Sequence, residues 1–403
     1  MCFAMLGTSC DDNEDPGTAG ETEMEEEMEV EMEEETEPEV EAFTETLRFA
    51  SFNVSLFRDT EGGLVSDLSN GENEDIKKVA EVIQTVRPDF LALMEFDYDA
   101  AGNALELFRS NYLEQPQNGQ EIMEYPHAYA APSNTGLLAE VDIDSNGSIS
   151  LPNDAYGFGN FEGQFAFALL SKYPIKTEEL RSFQNFKWTD LENATLPKNA
   201  DGSNFYSDEA LEVFRLSSKN HIDMPVELPD GRIVHALLSH PTPPVFDGAE
   251  DRNGLRNHDE IKLFADYISG AEYLTDDQGN SGGLSSDDFF VIMGDQNADP
   301  LDGDSAMDAI RQLLDHPRVN QAVTFGEHIP ASVGGQIHNQ QSGDTGEPQF
   351  DTSFFGLRVD YVLPSANLQV SDSAVFWPDP TDIQTALTSA SDHLLVWVDF
   401  RLP

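Results

Sequence analysis

Short apolar runs, each closed by a single polar residue, recur along this chain and predict most of its elements. From Thr46, LRFASFNVSLF alternates apolar and polar positions as far as Asn53, which predicts a strand with a polar terminus. The segment Glu74–Val86 then places Ile76, Val79, Ala80, Val82 and Ile83 at helical spacing, and Arg87-Pro88 stops it. PDFLALMEFD follows as a buried strand ending in Glu95. Strand, helix and strand within about 45 residues predict an α/β unit with a crossover, so that Asn53 and Glu95 end neighbouring strands.

The same pattern continues downstream. FAFALLSKYPI is an apolar run closed by a turn, and GRIVHALLSHPTPP is a strand ending in His240, with His235 inside it as a packed histidine. Asn257 is positioned to cap a helix from His258 to Ile268 whose Ile261, Phe264, Ala265 and Ile268 share a face. FFVIMGDQNADP reads as a buried strand turning at Gly294, with Asp295 and Asn297 just past its end. A helix is expected around Ala306 to Leu314, then an irregular run from Pro330 to Phe355. LRVDYVLPS places Asp360 inside a short strand, and SASDHLLVWVDF sets Asp392 and His393 before a terminal strand.

Composition changes this picture in two ways. The chain has 403 residues, 76 acidic against 21 basic side chains and a net charge of −55, a field that repels polyanions and attracts divalent cations. Adaptation to high salt accounts for such a charge equally well. The two cysteines, Cys2 and Cys10, both fall at the N-terminus, which leaves the rest without disulfides, thiolate chemistry or sulfur-bound zinc. MCFAMLGTSC resembles the end of a lipoprotein signal, with Cys10 as the residue to be lipidated. Asp11–Glu45 contains neither Lys nor Arg and is packed with Glu, so it is expected to be a disordered acidic tether. Residues 46–403 would form the folded domain of an exported or surface-anchored protein, expected to be a monomer. Beyond the first few residues no run is long enough to span a membrane.

The middle of the chain carries further candidates. DIDSNGSI sets Asp142, Asp144 and Asn146 at alternate positions before Gly147, as in the first half of an oxygen-ligand calcium loop. The position that wants a bidentate Glu is instead Asn153, and the stretch also reads as an ordinary turn. Trp188, Phe205 and Tyr206 lie in a loop-rich segment from Phe186 to Ser218, where such residues pin a loop to its domain or line a cleft. Arg215, Lys219 and His221 gather positive charge, either as phosphate contacts or as a solvated strand edge.

Glu95, Asp295, Asp360 and Asp392 are hard oxygen groups and Asn53 and Asn297 neutral oxygen donors, a set suited to Mg2+ or Mn2+, with Ca2+ as a further candidate. His240 and His393 can carry a proton near neutrality. Neither a P-loop nor a G-x-S-x-G turn in a strand-to-helix setting is present. A hard cation flanked by His and Asp equips a site to activate water against a phosphorus ester.

The ordered series SFNVS, ALMEFD, LLSHPTPP, VIMGDQNADP, RVDYVLPS and ASDHLLVWVDF resembles the endonuclease/exonuclease/phosphatase superfamily, which includes DNase I, neutral sphingomyelinases and inositol polyphosphate 5-phosphatases. The resemblance runs from Arg48 to the C-terminus. It implies an α/β (α+β) fold in four layers, two mixed β-sheets packed face to face between helices, with the site at one edge. It further implies that Glu95 ligates the metal with Asn53 and Asp392 close by, and that His393 acts on the attacking water or phosphate, oriented by Asp360. Asp295 and Asn297 would position nucleophile and phosphate, and His240 would stabilise the transition state or aid the leaving group. His240 sets the chain apart from apurinic-site endonucleases, which carry Asn at the matching strand. The leading expectation is an exported metal-dependent phosphoesterase of unassigned substrate class. A nuclease in the narrow sense is disfavoured by the sparse Lys and Arg, and a catalytically silent binding module is the remaining alternative.

Overall fold

A computed structural model of the protein describes residues 43–306, 308–338 and 345–403. Cys2, Cys10 and most of the acidic segment lie outside the described residues.

Two mixed sheets form the centre. The first contains β1 (Leu47–Leu56), β2 (Phe90–Phe96), β3 (His127–Ala131), β4 (Phe167–Ser171), β10 (Gln369–Val375) and β11 (Val396–Arg401), in the order β10-β11-β1-β2-β4-β3. The second contains β5 (Arg181–Ser182), β6 (His221–Glu227), β7 (Ile233–Ser239), β8 (Phe289–Asp295) and β9 (Asp360–Pro364), in chain order. In each sheet one parallel pair, β1 with β2 and β7 with β8, is flanked by antiparallel neighbours. Parallel pairing requires a crossover. The helix Glu74–Val86 supplies one and the helix Arg252–Ile268 the other.

The layers follow from which residues are apolar. Phe49, Phe90 and Met94 on the first sheet and Met224, Ala236 and Ile292 on the second belong to one buried core. Ala50, Phe52, Leu91 and Leu93 turn the opposite way and pack with Ile76, Val79 and Ile83 of the first helix. Alternate residues of β1 and β2 thus serve two cores, which is why β1 is buried along almost its whole length. This corrects the alternating, one-sided reading of β1, which in addition continues past Asn53 to Leu56. Phe49 stacks on Phe90 at 4.0 Å between ring centroids and lies 5.0 Å from Phe400, so one side chain joins three strands.

Three further boundaries differ from expectation. The tether was placed through Glu45, yet Phe43 is already fixed: its N–H donates to Asp230 at 2.8 Å, its carbonyl accepts from Arg232, and its ring meets Tyr173 edge-on. Asn257 does not cap a helix. That helix begins at Arg252, and Asn257 is fully buried within it, because its polar residues face loops rather than water. The helix expected from Ala306 is confined to Arg311–Leu314. Trp188 is buried and donates to Asp259 at 2.6 Å, and Tyr206 is buried too, so the long loop is pinned to its domain. Among the described residues no helix is long and apolar enough to cross a membrane.

Candidate active site

The parallel pairs of the two sheets end at the same edge, and their terminal polar residues meet there. Asn53 of β1 reaches across the interface to donate from Nδ2 to Asp295 Oδ2 at 3.1 Å. Glu95 is the last but one residue of β2 beside it, and Asp295 ends β8 directly opposite Asp360 of β9. His240 follows β7 and places Nε2 3.5 Å from Asp295 Oδ2. His393 precedes β11, with Nδ1 2.8 Å from Asp360 Oδ2 and Nε2 3.7 Å from Asp295 Oδ2.

The backbone at these strand ends is unusual. Glu95 has φ 56°, Asn297 φ 51° and Ser55 φ 48°, all left-handed in residues other than glycine. Each such residue costs on the order of 1 kcal/mol or more. The bulge between Asn53 and Leu56 and these turns take the side chains off the regular strand alternation and into the gap between the sheets. Gly294, with φ 147°, lets β8 pass close to β7: a Cβ there would lie 1.9 Å from the Ser239 carbonyl oxygen.

Two carboxylates directly opposite on neighbouring strands repel. His393 resolves this for Asp295 and Asp360 by lying within reach of both. Burial opposes a charge on His393, but Asp360 and Asp295 outweigh it and push the imidazole up to about 10. Thr352 Oγ1 donates to Asp360 Oδ2 at 2.8 Å, whereas the buried Oδ1 of Asp360 has no partner. Asp295 itself is pushed up to about 6 by burial and by Asp360, against the opposing pull of His393, the Asn297 N–H at 2.8 Å and Asn53. Glu95 is raised as well, by burial first. His240 goes the other way: burial, Lys219 and His393 hold it well below the usual imidazole range. The two histidines therefore differ in protonation, His393 charged and His240 neutral.

The remaining candidates are placed as follows. Lys219 is buried and donates weakly to the Pro241 carbonyl at 3.5 Å; burial lowers its ammonium below the usual lysine range, against the pull of Glu260, Glu95 and Asp295. Asn297 donates to the same carbonyl at 3.1 Å. Asp392 is exposed and accepts from Ser55 Oγ at 3.0 Å. Arg215 is taken up elsewhere, stacked 4.0 Å over Tyr156 and donating to Asn134 at 2.6 Å. His235 is a packed histidine, 2.8 Å from Asp223.

Asp295, Asp360 and His393 bring ligand atoms within 4.8 Å of one another, as do Asp142, Asp144 and Asp154 in the acidic loop. In that loop Asp154, the neighbour of the departing Asn153, joins Asp142 and Asp144, and Asn146 turns its amide N–H groups to Asp144 while its oxygen accepts from Ser148. The sequence reading missed Asp154 and Thr352, neither of which follows an apolar run.

Similar solved structures include an endonuclease/exonuclease/phosphatase from Beutenbergia cavernae DSM 12333 (TM-score 0.48, 16% identity, covering 89% of this chain and 72% of that one). A family protein from Leptotrichia buccalis C-1013-b gives TM-score 0.47 at 14% identity over 88% and 99% of the two chains. Beta toxin from Staphylococcus aureus gives 0.44 at 16% over 87% and 99%. No curated protein matches. The model of the Endonuclease/Exonuclease/phosphatase family matches residues 50–393, a span that opens within β1 and closes on His393, and to that family this chain belongs.

Proposed function

We propose that the protein is an exported, divalent-metal-dependent phosphoesterase that cleaves a phosphodiester or phosphomonoester with water activated by metal and by His and Asp. The observation that carries this reading is the convergence of Asn53, His240 and His393 on one carboxylate oxygen of the buried Asp295.

The donor set fits a hard divalent cation. Glu95, Asp295 and Asp360 offer carboxylate oxygens, one of them the unpartnered buried Oδ1 of Asp360. Glu95 would hold the ion with Asp392 nearby, while Asn53, its Nδ2 on Asp295 and its Oδ1 accepting from the Ser55 N–H, serves chiefly to orient. When bound, such an ion polarises phosphoryl oxygens and lowers the proton affinity of water.

The chain's own residues supply the rest. Asp295, raised into the near-neutral range, can accept a proton from a nucleophilic water at Oδ2. Charged His393, fixed at Nδ1 by Asp360, directs its Nε2 proton toward the place where charge gathers on the phosphoryl oxygens. Neutral His240 and buried Lys219 complete the cationic and donor side, with Lys219 as the phosphate contact. Export and anchoring through Cys10 rest on the lipoprotein-like start and the acidic segment after it.

The test is hydrolysis of bis-(p-nitrophenyl) phosphate beside p-nitrophenyl phosphate, with Mg2+, Mn2+ or Ca2+ and then with chelator, in wild type and His393→Ala. Cleavage that requires both metal and His393 is expected. Equal cleavage by His393→Ala, or cleavage unaffected by chelator, would overturn the reading.

A further inference from the structure

The ladder between β6 and β7 ends at the pair His221 and Ser239, and beyond it the strands splay apart. The residues that matter for the site, Lys219 and His240, lie in that splayed region. The Lys219 carbonyl accepts from the Asn134 N–H at 2.8 Å and Ser218 Oγ reaches the His240 carbonyl at 3.5 Å, but the backbone next to both residues is held by the helix Arg252–Ile268. Glu260 accepts the Ser218 N–H on Oε1 at 2.5 Å and the Thr242 N–H on Oε2 at 2.6 Å. One turn earlier, Asn257 Nδ2 donates to the Thr242 and Gln296 carbonyls, each at 2.9 Å, joining the loop after β7 to the loop after β8. Arg256 donates to the carbonyls of Leu216, Tyr156 and Arg215.

All three side chains are buried, Glu260 and Asn257 completely. Polar groups removed from water need partners, and here the partners are main-chain groups of the splayed segments, with the Tyr156 and Gln296 carbonyls of neighbouring loops. The helix thus extends the sheet's hydrogen bonding past the point where the strands open. Glu260 also contributes charge: it leads the acidic groups that oppose the effect of burial on Lys219, ahead of Glu95 and Asp295.

We infer that Glu260 is a positioning residue of the site, fixing Lys219 and His240 through the Ser218 and Thr242 amides, each of which takes one of its two carboxylate oxygens, so that Lys219 is held to meet a substrate phosphate. The inference rests on the phosphoesterase reading and extends it to a side chain that touches neither metal nor substrate. It makes the carboxylate, and not merely a group of its shape, a requirement for phosphate binding.

The experiment uses the full chain in Mg2+ with inorganic phosphate as the probe, measured by calorimetry beside the kcat and KM for bis-(p-nitrophenyl) phosphate. Glu260→Gln, Glu260→Asp, Lys219→Met and the Glu260→Gln/Lys219→Met double variant are compared after near-UV circular dichroism shows each to be folded. Glu260→Gln and Lys219→Met are each expected to weaken phosphate binding about tenfold or more, and the double variant to be no more than about twofold weaker than Lys219→Met alone, because residues of one network do not add. Glu260→Asp, which keeps the charge, should retain more binding than Glu260→Gln. If Glu260→Gln fails to fold, Glu260→Asp serves instead, since full wild-type phosphate affinity in a side chain too short to reach both amides would overturn the positioning role. Wild-type phosphate affinity in Glu260→Gln, or losses that multiply in the double variant, would overturn the inference. Phosphate coupling as expected in a protein that hydrolyses neither ester would refute the phosphoesterase reading while leaving the role of Glu260 standing.

Discussion

Replacing Asp360 by Asn tests the electrostatic argument at its centre. Asp360 Oδ2 lies 2.8 Å from His393 Nδ1, and the second carboxylate, Asp295, lies 3.7 Å from Nε2. Taking charge centres about 4 Å apart and an effective dielectric constant near 20, each pair is worth about 4 kcal/mol. That equals about three pKa units apiece. Two such attractions against a burial penalty of comparable size leave a net upward shift, in accord with an imidazole near 10. Asp360→Asn removes one attraction and the accepting charge at Nδ1, so His393 should titrate about three units lower, around pH 7. The assay is 1H–13C NMR of the histidine Cε1–H signals in chelator-treated protein, with His393 among the nine histidines assigned from His393→Asn. A midpoint in Asp360→Asn within about one unit of wild type would refute the reasoning, because it would give Asp360 less than a third of the interaction assigned to it.

Other outcomes follow from the same geometry. Asp295 is raised to about 6 in the fold from 3.8, so the native state binds the extra proton between those values and stability falls as pH rises through them. In metal-free protein this contributes about 3 kcal/mol of loss by pH 7, and urea titrations at pH 4 and pH 7 should show the fall reduced in Asp295→Asn. The raised His393 acts in the same direction over a higher range: its contribution is complete below about pH 6.5 and is lost as pH rises through 10, a loss that His393→Asn should abolish. Gly294→Ala drives a Cβ to within 1.9 Å of the Ser239 carbonyl and should destabilise the fold by about 3 kcal/mol in urea unfolding. Saturating Mg2+ at about a hundredfold its Kd should stabilise wild type by about 2.7 kcal/mol, seen as a rise in Tm, and Glu95→Gln should abolish that rise.

The part of this site that could be read from the sequence is the part dictated locally. A buried strand needs an unbroken apolar run, so the polar residue at its end stands out: Asn53, Glu95, His240 and Asp295 close such runs, His393 opens one, and the structure brings them to one edge. Glu260 and Asn257 were not, because a helix with polar residues on one side looks like a helix facing water. Only the tertiary structure shows that this side faces the loops at Ser218, Thr242 and Gln296. The same reason misplaced the start of that helix. Asp154 was passed over for its neighbour Asn153, since a loop rule counts positions whereas the chain places Asp154 by giving its carboxylate the N–H groups of Ile143 and Ser150. Nothing local could show that Lys219 is buried or that Arg215 is stacked on Tyr156.

The position of β1 governs when the protein can work. β1 lies inside its sheet between β2 and β11, and its register with β11 joins Leu47 to Phe400 and Ser51 to Val396. Among the described strands β1 thus has one edge covered early, by β2, and waits for β11 before the other is covered. Until then Asn53 and Glu95 are attached to an incomplete sheet, and His393 is not yet part of the chain. Such a topology leaves one edge of a central strand uncovered until β11 has been made.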